Sequence, residues 1–470
     1  MAVYRYLPGS FARLFFAGLL LLAVPVTLAC IGCSHRQPVI ADLRHLSQSV
    51  SDYTGDEPDR PMGDGRFWAA QNKLYLERHF APWNNEKPSP DRNGIERTVA
   101  AAMINPGYAE NMLPHDPLWI ESIIIETDLD SFPSMCREAI TLRETSVRSI
   151  PTHRPSFRAP EKAGEGFPFD YWQRSLLFAN VPLRVIHATK SKEWLYVQAP
   201  FVSGWVLSRD VGVIATEDLN RLRKGKFLVP VKDKVPLYDE EGHFLFRARI
   251  GNLLPAEPAK EGGYRILAVV PAGDLKTTLR RAVVSMDDFT SFPLSPTAGN
   301  MARIADAMAG SPYGWGGLYG NRDCSAFLRD LFAGFGLWLP RNSYQQVYEG
   351  TGVTTLSHLS RREKERFIIE RAVPFATLLG YPGHVMLYIG EKDGRAVVLH
   401  VTWGIRSDRC LLGEGRIIVG GMAITTLTPG EELPEVMPEN LVINRSDAMR
   451  VIYSDKATDK KQGGTSQLQP

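Results

Sequence analysis

At 470 residues the chain is too long for one compact core, and its length suggests about three domains. With 44% hydrophobic and 23% charged residues it reads as globular, which argues against large disordered regions. Its 54 basic and 52 acidic residues leave a formal net charge of +2, which gives no electrostatic reason to expect nucleic acid as a partner.

Arg5 and Arg13 precede an uncharged apolar run over 14–29. The run has the length of a signal-peptide core, and Pro25 argues against a plain spanning helix. It closes in LACIGCS, where each cysteine follows a small residue. A bacterial lipoprotein signal over 1–33 is therefore expected, with lipid on Cys33 or, alternatively, Cys30. An uncut signal-anchor helix is the rival reading; under either, the body of the protein lies outside the cytoplasm, in a cell envelope and on the periplasmic side of a membrane. Without that pair, Cys136, Cys324 and Cys410 remain. An odd number leaves at least one thiol free even if Cys136 and Cys410 pair. Catalysis or burial would account for it.

Residues 34 to about 60 are polar and read as a tether. Helices are expected over 66–83, with Phe67, Leu74, Tyr75 and Arg78 at helical spacing, and over 94–103, so that 34–135 forms a helical segment. From 136, short β-rich runs alternate with Pro and Gly, as in Trp194-Leu195-Tyr196-Val197. They indicate two small barrels, 136–215 and 216–295, with a turn at 239–242. Over 296–455 the pattern becomes helices followed by strands, an α+β domain. Helices are expected over 297–309 and 324–335 and strands over 384–389 and 396–403. A polar tail follows over 456–470.

In the α+β domain, Tyr313-Gly314-Trp315-Gly316-Gly317 leads to Asp323-Cys324-Ser325. Cys324 opens a helix, where unpaired N–H groups and the positive dipole end favour a thiolate. A cysteine nucleophile needs a base, usually histidine, held by a third polar group. His384 and His400 lie in strands of the same domain. Pairing around Lys392-Asp393-Gly394 with Gly394 left-handed would set 386 opposite 400 and put both histidines on one face. The Cys324 helix packed across that face would complete the set. Spacing offers no close ligand pair for a metal, and no cofactor is expected.

The YGWGG loop, the Asp-Cys-Ser at the helix start, LPRNSYQQ over 339–346, GHVMLYIG and the His400 strand together resemble the NlpC-type cell-wall cysteine peptidases. The preceding chain is similar to multidomain members with a helical stabilising segment and two bacterial SH3-like barrels. The resemblance implies a papain-like α+β domain with Cys324 as nucleophile, His384 as base and His400 as the third polar residue. It implies that Tyr313, Asp323, Ser325 and Ser343 line the substrate site, with Asp323 and Ser325 gripping a free amine. It further implies γ-D-glutamyl-L-diamino acid endopeptidase activity on stem peptides with a free N-terminal L-alanine. Three departures stand out: Phe375-Ala376-Thr377-Leu378-Leu379 replaces the usual Gly-Asp-Leu, Asn342 replaces a frequent Asp, and the gap from His384 to His400 is long. The competing readings are an N-acetylmuramoyl-L-alanine amidase and a non-catalytic wall-binding lipoprotein. In the second, Trp194, Tyr196 and Trp205 would line a groove if they are not barrel core.

Overall fold

The Asp64 side chain accepts the Arg66 N–H and starts the helix Gly65–His79, and Asp116 does the same for Pro117–Glu126 through Leu118. With Arg92–Ile104 between them, these form the helical segment. The first helix buries Trp68, Tyr75 and His79 and packs Phe67 against the core, while Arg78 is exposed. The structure is a computed structural model that describes residues 39–84, 92–259, 263–408 and 414–453. The signal segment with Cys30 and Cys33, Cys410 with its pairing, and the polar tail lie outside the described residues. Among the described residues no helix is long and apolar enough to cross a membrane.

The tether reading fails from Ile40 onward. Ile40 is buried beside Leu356 and Ile368, and Val50 is buried under the helix that carries Met301 and Ala305. The polar residues that suggested solvent instead complete backbone edges. The Gln48 amide donates to the Ile424 carbonyl at 3.0 Å and accepts the Ile424 N–H at 2.9 Å, and Asp42 accepts the Thr426 N–H. The segment therefore closes the exposed edge of the C-terminal sheet.

Two seven-stranded antiparallel sheets follow, from Arg137–Thr141 to Val211–Val213 and from Lys226–Pro230 to Phe289–Ser291. In strand Trp194–Gln198, alternation sorts two buried faces. Leu195 and Val197 fill the first barrel, whereas Trp194 and Tyr196 pack with Trp205 against Ile95 and Val99 of the helical segment. All three aromatic rings are buried, so they line no open groove.

The C-terminal domain has a six-stranded antiparallel sheet made of β1 (Val353–Thr355), β2 (Thr377–Tyr381), β3 (His384–Lys392), β4 (Arg395–Asp408), β5 (Glu414–Thr426) and β6 (Ala448–Val451), in the order β1-β6-β2-β3-β4-β5. Its α-helices of six or more residues are α1 (Ala298–Asp306), α2 (Cys324–Ala333), α3 (Ser343–Tyr348) and α4 (Arg361–Arg371), and a short helical turn spans Val442–Arg445. The α2 stripe Phe327, Leu328, Leu331 and Phe332 packs on Val385, Leu387, Val397 and Leu399. The other sheet face, with Met386, Tyr388 and Val398, is covered by Ile368 of α4, Val442 and Ile40. This is the α+β arrangement read from the sequence.

Candidate active site

The β3–β4 turn departs from the expected one. Asp393 and Gly394 both have positive φ, 52° and 76°, and form a two-residue loop with Lys392 opposite Arg395. That register alone would set the histidines on opposite faces. A bulge between Tyr388 and Gly390 shifts the pairing by one, giving Tyr388 opposite Val398 and Leu387 opposite Leu399, the register in which His384 and His400 fall on one face. The bulge thus restores the shared face. His384 Nε2 and His400 Nδ1 lie 2.8 Å apart, both rings buried.

That shared face is not the one α2 covers. The histidines alternate in step with Met386, Tyr388 and Val398, opposite the α2 stripe. The α2 helix reaches them at its N-terminus. Pairing between β3 and β4 ends at Leu387, and beyond it the Val385 N–H lies near enough to the Cys324 sulfur to favour its thiolate. The sulfur thus sits against the backbone at Val385, one residue from His384, where α2 meets the start of β3.

Tautomers follow from the donors. The Thr425 hydroxyl donates to the Thr426 carbonyl at 2.8 Å, so its oxygen is left to accept from His400 Nε2 at 3.3 Å. His400 Nδ1 then accepts, and His384 Nε2–H donates to it. His384 Nδ1 keeps its lone pair, as a base requires. Thr425 was not singled out in the sequence, because nothing near it in the chain marks it as a partner of His400.

Burial pushes the Cys324 thiol up to about 12, and the Asp323 carboxylate adds to the rise against the Val385 and Ser325 N–H groups and Arg341. The lowering expected from the helix start is therefore outweighed by desolvation. Burial also holds His384 well below 6.5, with His400 and Arg445 adding to it, and lowers His400 to about 4. At neutral pH the resting groups are a thiol and two neutral imidazoles.

Asp323 caps α2 through the Ala326 N–H at 2.8 Å and accepts the Gly316 N–H at 3.0 Å. Arg341 grips both its oxygens, at 2.7 and 3.1 Å, and the Ser325 hydroxyl lies 3.2 Å away. Burial alone would raise this carboxyl, but Arg341 and the backbone donors hold it below its ordinary range. Arg341, a residue within the quoted LPRNSYQQ stretch that sequence reading gave no role, also donates to Ser175 of the first barrel at 2.7 Å. The barrel is fixed to the glycine loop as well: Gln173 donates to the Gly316 carbonyl at 2.9 Å, and Trp315 Nε1 to the Asp170 carbonyl at 2.9 Å. Any Cβ at Gly316 or Gly317 would meet Gln173 or Leu176 at 2.7 Å or less, and both glycines have positive φ. Tyr313 packs beside Phe169 and Trp403, and burial raises its hydroxyl well above 10, with the Cys324 and Asp323 charges adding, so it is a donor. Ser343 is the first residue of α3, which Gln346 ties to the start of α2 through the Ser325 carbonyl at 2.9 Å. Asn342 caps α3 by accepting the Gln345 N–H.

Family models match this chain in four consecutive places: the NLPC_P60 stabilising domain, N-terminal, over 19–132; an SH3 domain of SH3b1 type over 155–207; an SH3 domain of SH3b2 type over 219–261; and the NlpC/P60 family over 310–402. The chain belongs to the NlpC/P60 family. Its helical region, two SH3-like barrels and C-terminal NlpC/P60 domain are the fold expected from the sequence. An NlpC/P60 endopeptidase from Photobacterium damselae subsp. piscicida superposes with a TM-score of 0.79 at 23% identity, over 89% of this chain and 98% of that one. An NlpC/P60 family protein from Bacillus cereus ATCC 10987 gives a TM-score of 0.46 at 18% identity, over 67% and 99%. The comparison with curated proteins returned no match. Membership makes the NlpC/P60 protein a cell-wall hydrolase of the cysteine peptidase class.

Proposed function

We propose that the chain hydrolyses the γ-D-glutamyl-L-diamino acid bond of stem peptides that carry a free N-terminal L-alanine. The observation that supports this most is the buried His384–His400 pair, Nε2 to Nδ1 at 2.8 Å, one residue from the Val385 N–H that lies near the Cys324 sulfur. His384 Nδ1 takes the thiol proton and the thiolate attacks the γ-glutamyl carbonyl. The Cys324 N–H and the Tyr313 hydroxyl stabilise the oxyanion. His384 then protonates the leaving amine, and water hydrolyses the thioester. The first barrel, seated on the glycine loop, closes one end of the cleft to a longer chain. Ser325, Ser343 and Asp323 face the substrate amine. Five donors already engage the Asp323 carboxylate, so its contribution is its charge.

The test is product analysis after incubation with L-Ala-γ-D-Glu-diaminopimelate and with its N-acetylated form. A new amine on diaminopimelate, and slow cleavage of the acetylated peptide, are expected. A new amine on alanine from a muramoyl peptide would make the protein an amidase instead. We place the protein in the cell envelope, held by lipid on Cys33 or Cys30, on the strength of the apolar run and cysteines alone.

For the wild type, kcat/KM should rise with pH through the depressed pKa of His384, below 6.5, and stay level across neutrality because the thiol holds its proton until about 12. Thr425→Val removes the acceptor that fixes His400. The lost hydrogen bond is worth about 1 kcal/mol, so kcat should fall roughly five- to tenfold. Thr425→Ser should restore it. Equal activity for the valine and serine variants would show that the threonine has no part in setting the tautomer.

A further inference from the structure

A cavity of about 820 Å³ opens where the two barrels meet the loop ahead of Cys324. Arg143 comes from the first barrel, Lys234, Phe244 and Arg247 from the second, and Tyr319 from the loop. Its carboxylates are already engaged. Glu144 pairs with Arg249 at 2.7 Å, and Asp239 accepts the backbone N–H groups of Glu241 and His243 at 3.0 and 2.8 Å. The cations at the rim are not all engaged. Among the described residues no ion pair forms to Lys234 or Arg247, and the Arg247 guanidinium instead lies 5.9 Å over the Phe244 ring. Phe244 and Tyr319 are 54% and 78% exposed, and Leu142 and Val270 line the cavity between them. The result is a cationic mouth with aromatic edges and an aliphatic lining.

We infer that this cavity binds a second stem peptide through its carboxylates, apart from the peptide being cut. A γ-glutamyl-diamino acid peptide fits on chemical grounds. It displays several carboxylates on short aliphatic arms, so the carboxylates meet Lys234 and Arg247 while the arms lie on Leu142 and Val270. The choice of peptide rests on the proposed function; the preference for carboxylates on aliphatic arms rests on the cavity alone. Arg249, in the cavity wall, donates to the Gly320 carbonyl at 2.9 Å, so an occupant touches the loop that leads to the nucleophile.

The full chain bearing Cys324→Ala, which cannot turn over, is titrated calorimetrically with L-Ala-γ-D-Glu-diaminopimelate at low and high salt. Two sites per chain are expected, one of them weakened by salt. Adding Lys234→Glu and Arg247→Glu should weaken that site at least tenfold. Phe244→Ala, which changes no charge, should weaken it as well. A single site in both backgrounds overturns the second site, whatever the hydrolysis assay gives. Loss of a salt-sensitive site on charge reversal upholds it, even if the wild type leaves the tripeptide uncut.

Discussion

Cys324→Ala should abolish hydrolysis of the tripeptide, with kcat reduced at least about 10⁴-fold, because no other side chain at the site can form the thioester. Binding and folding should survive. The thiol is small, its position opens a helix that alanine favours, and Asp323 still caps that helix. His384→Ala should cost about 10²- to 10⁴-fold, the usual range for a general base, and should leave the thiol slow toward alkylating reagents. The order of the two effects carries the argument. If His384→Ala cut as fast as wild type, the thiol would have another base and the route through Nδ1 would be wrong. Residual turnover by Cys324→Ala near the wild-type rate would remove the thiol from the reaction. Steady-state rates for both variants, with circular dichroism to check the fold, decide it.

The parts of this site legible in the sequence are those with local signals. The helix expected over 324–335, opened by Cys324, is α2, and its stripe 327, 328, 331, 332 is buried as helical periodicity requires. The shared face of His384 and His400 was also legible, but for an incomplete reason. A two-residue turn and a bulge near Gly390 cancel, and periodicity carries no sign of either. The covering of that face was misread because the side α2 takes depends on which residues of β3 and β4 are apolar on both faces, as Met386 and Leu387 are. Thr425, Arg341 and Ser175 were illegible for another cause. Each acts through a partner 16 or more residues away in the chain, where neither capping nor alternation reports. The polar stretch from Ile40 onward was misread because a side-chain amide pairing with a strand edge has the same composition as one in water.

Asp233→Ala should be the most destabilising single change outside the apolar core, costing about 3–5 kcal/mol, because it leaves two buried guanidiniums without their shared carboxylate. Asp233 belongs to the second barrel. Its oxygens accept from Arg322 Nη1 and Nη2 at 2.8 and 3.0 Å and from Arg249 Nε at 3.1 Å, and it also accepts the Ile250 N–H. Burial opposes its charge, yet the two arginines hold its carboxyl well below the ordinary range. Arg322 stands two residues before Cys324 and continues the chain of contacts to Asp330 on α2 at 2.7 Å. The pair therefore does two things. It joins the second barrel to the NlpC/P60 domain, and it fixes the loop that presents the nucleophile. A buried ion pair need not exceed an apolar substitute in stability, but without Asp233 the Arg249 guanidinium keeps only the Glu144 carboxylate and the Arg322 guanidinium only that of Asp330, so part of the desolvation cost of each goes uncompensated. Asp233→Asn keeps the shape and most acceptors while removing the charge, so its cost should lie between wild type and alanine. Urea denaturation of the full chain measures the three, and tripeptide turnover at a temperature where all are folded reads the loop. Unchanged urea midpoints for the alanine variant would mean that the arginines find water or other acceptors, and the second barrel would then have no hold on the nucleophile.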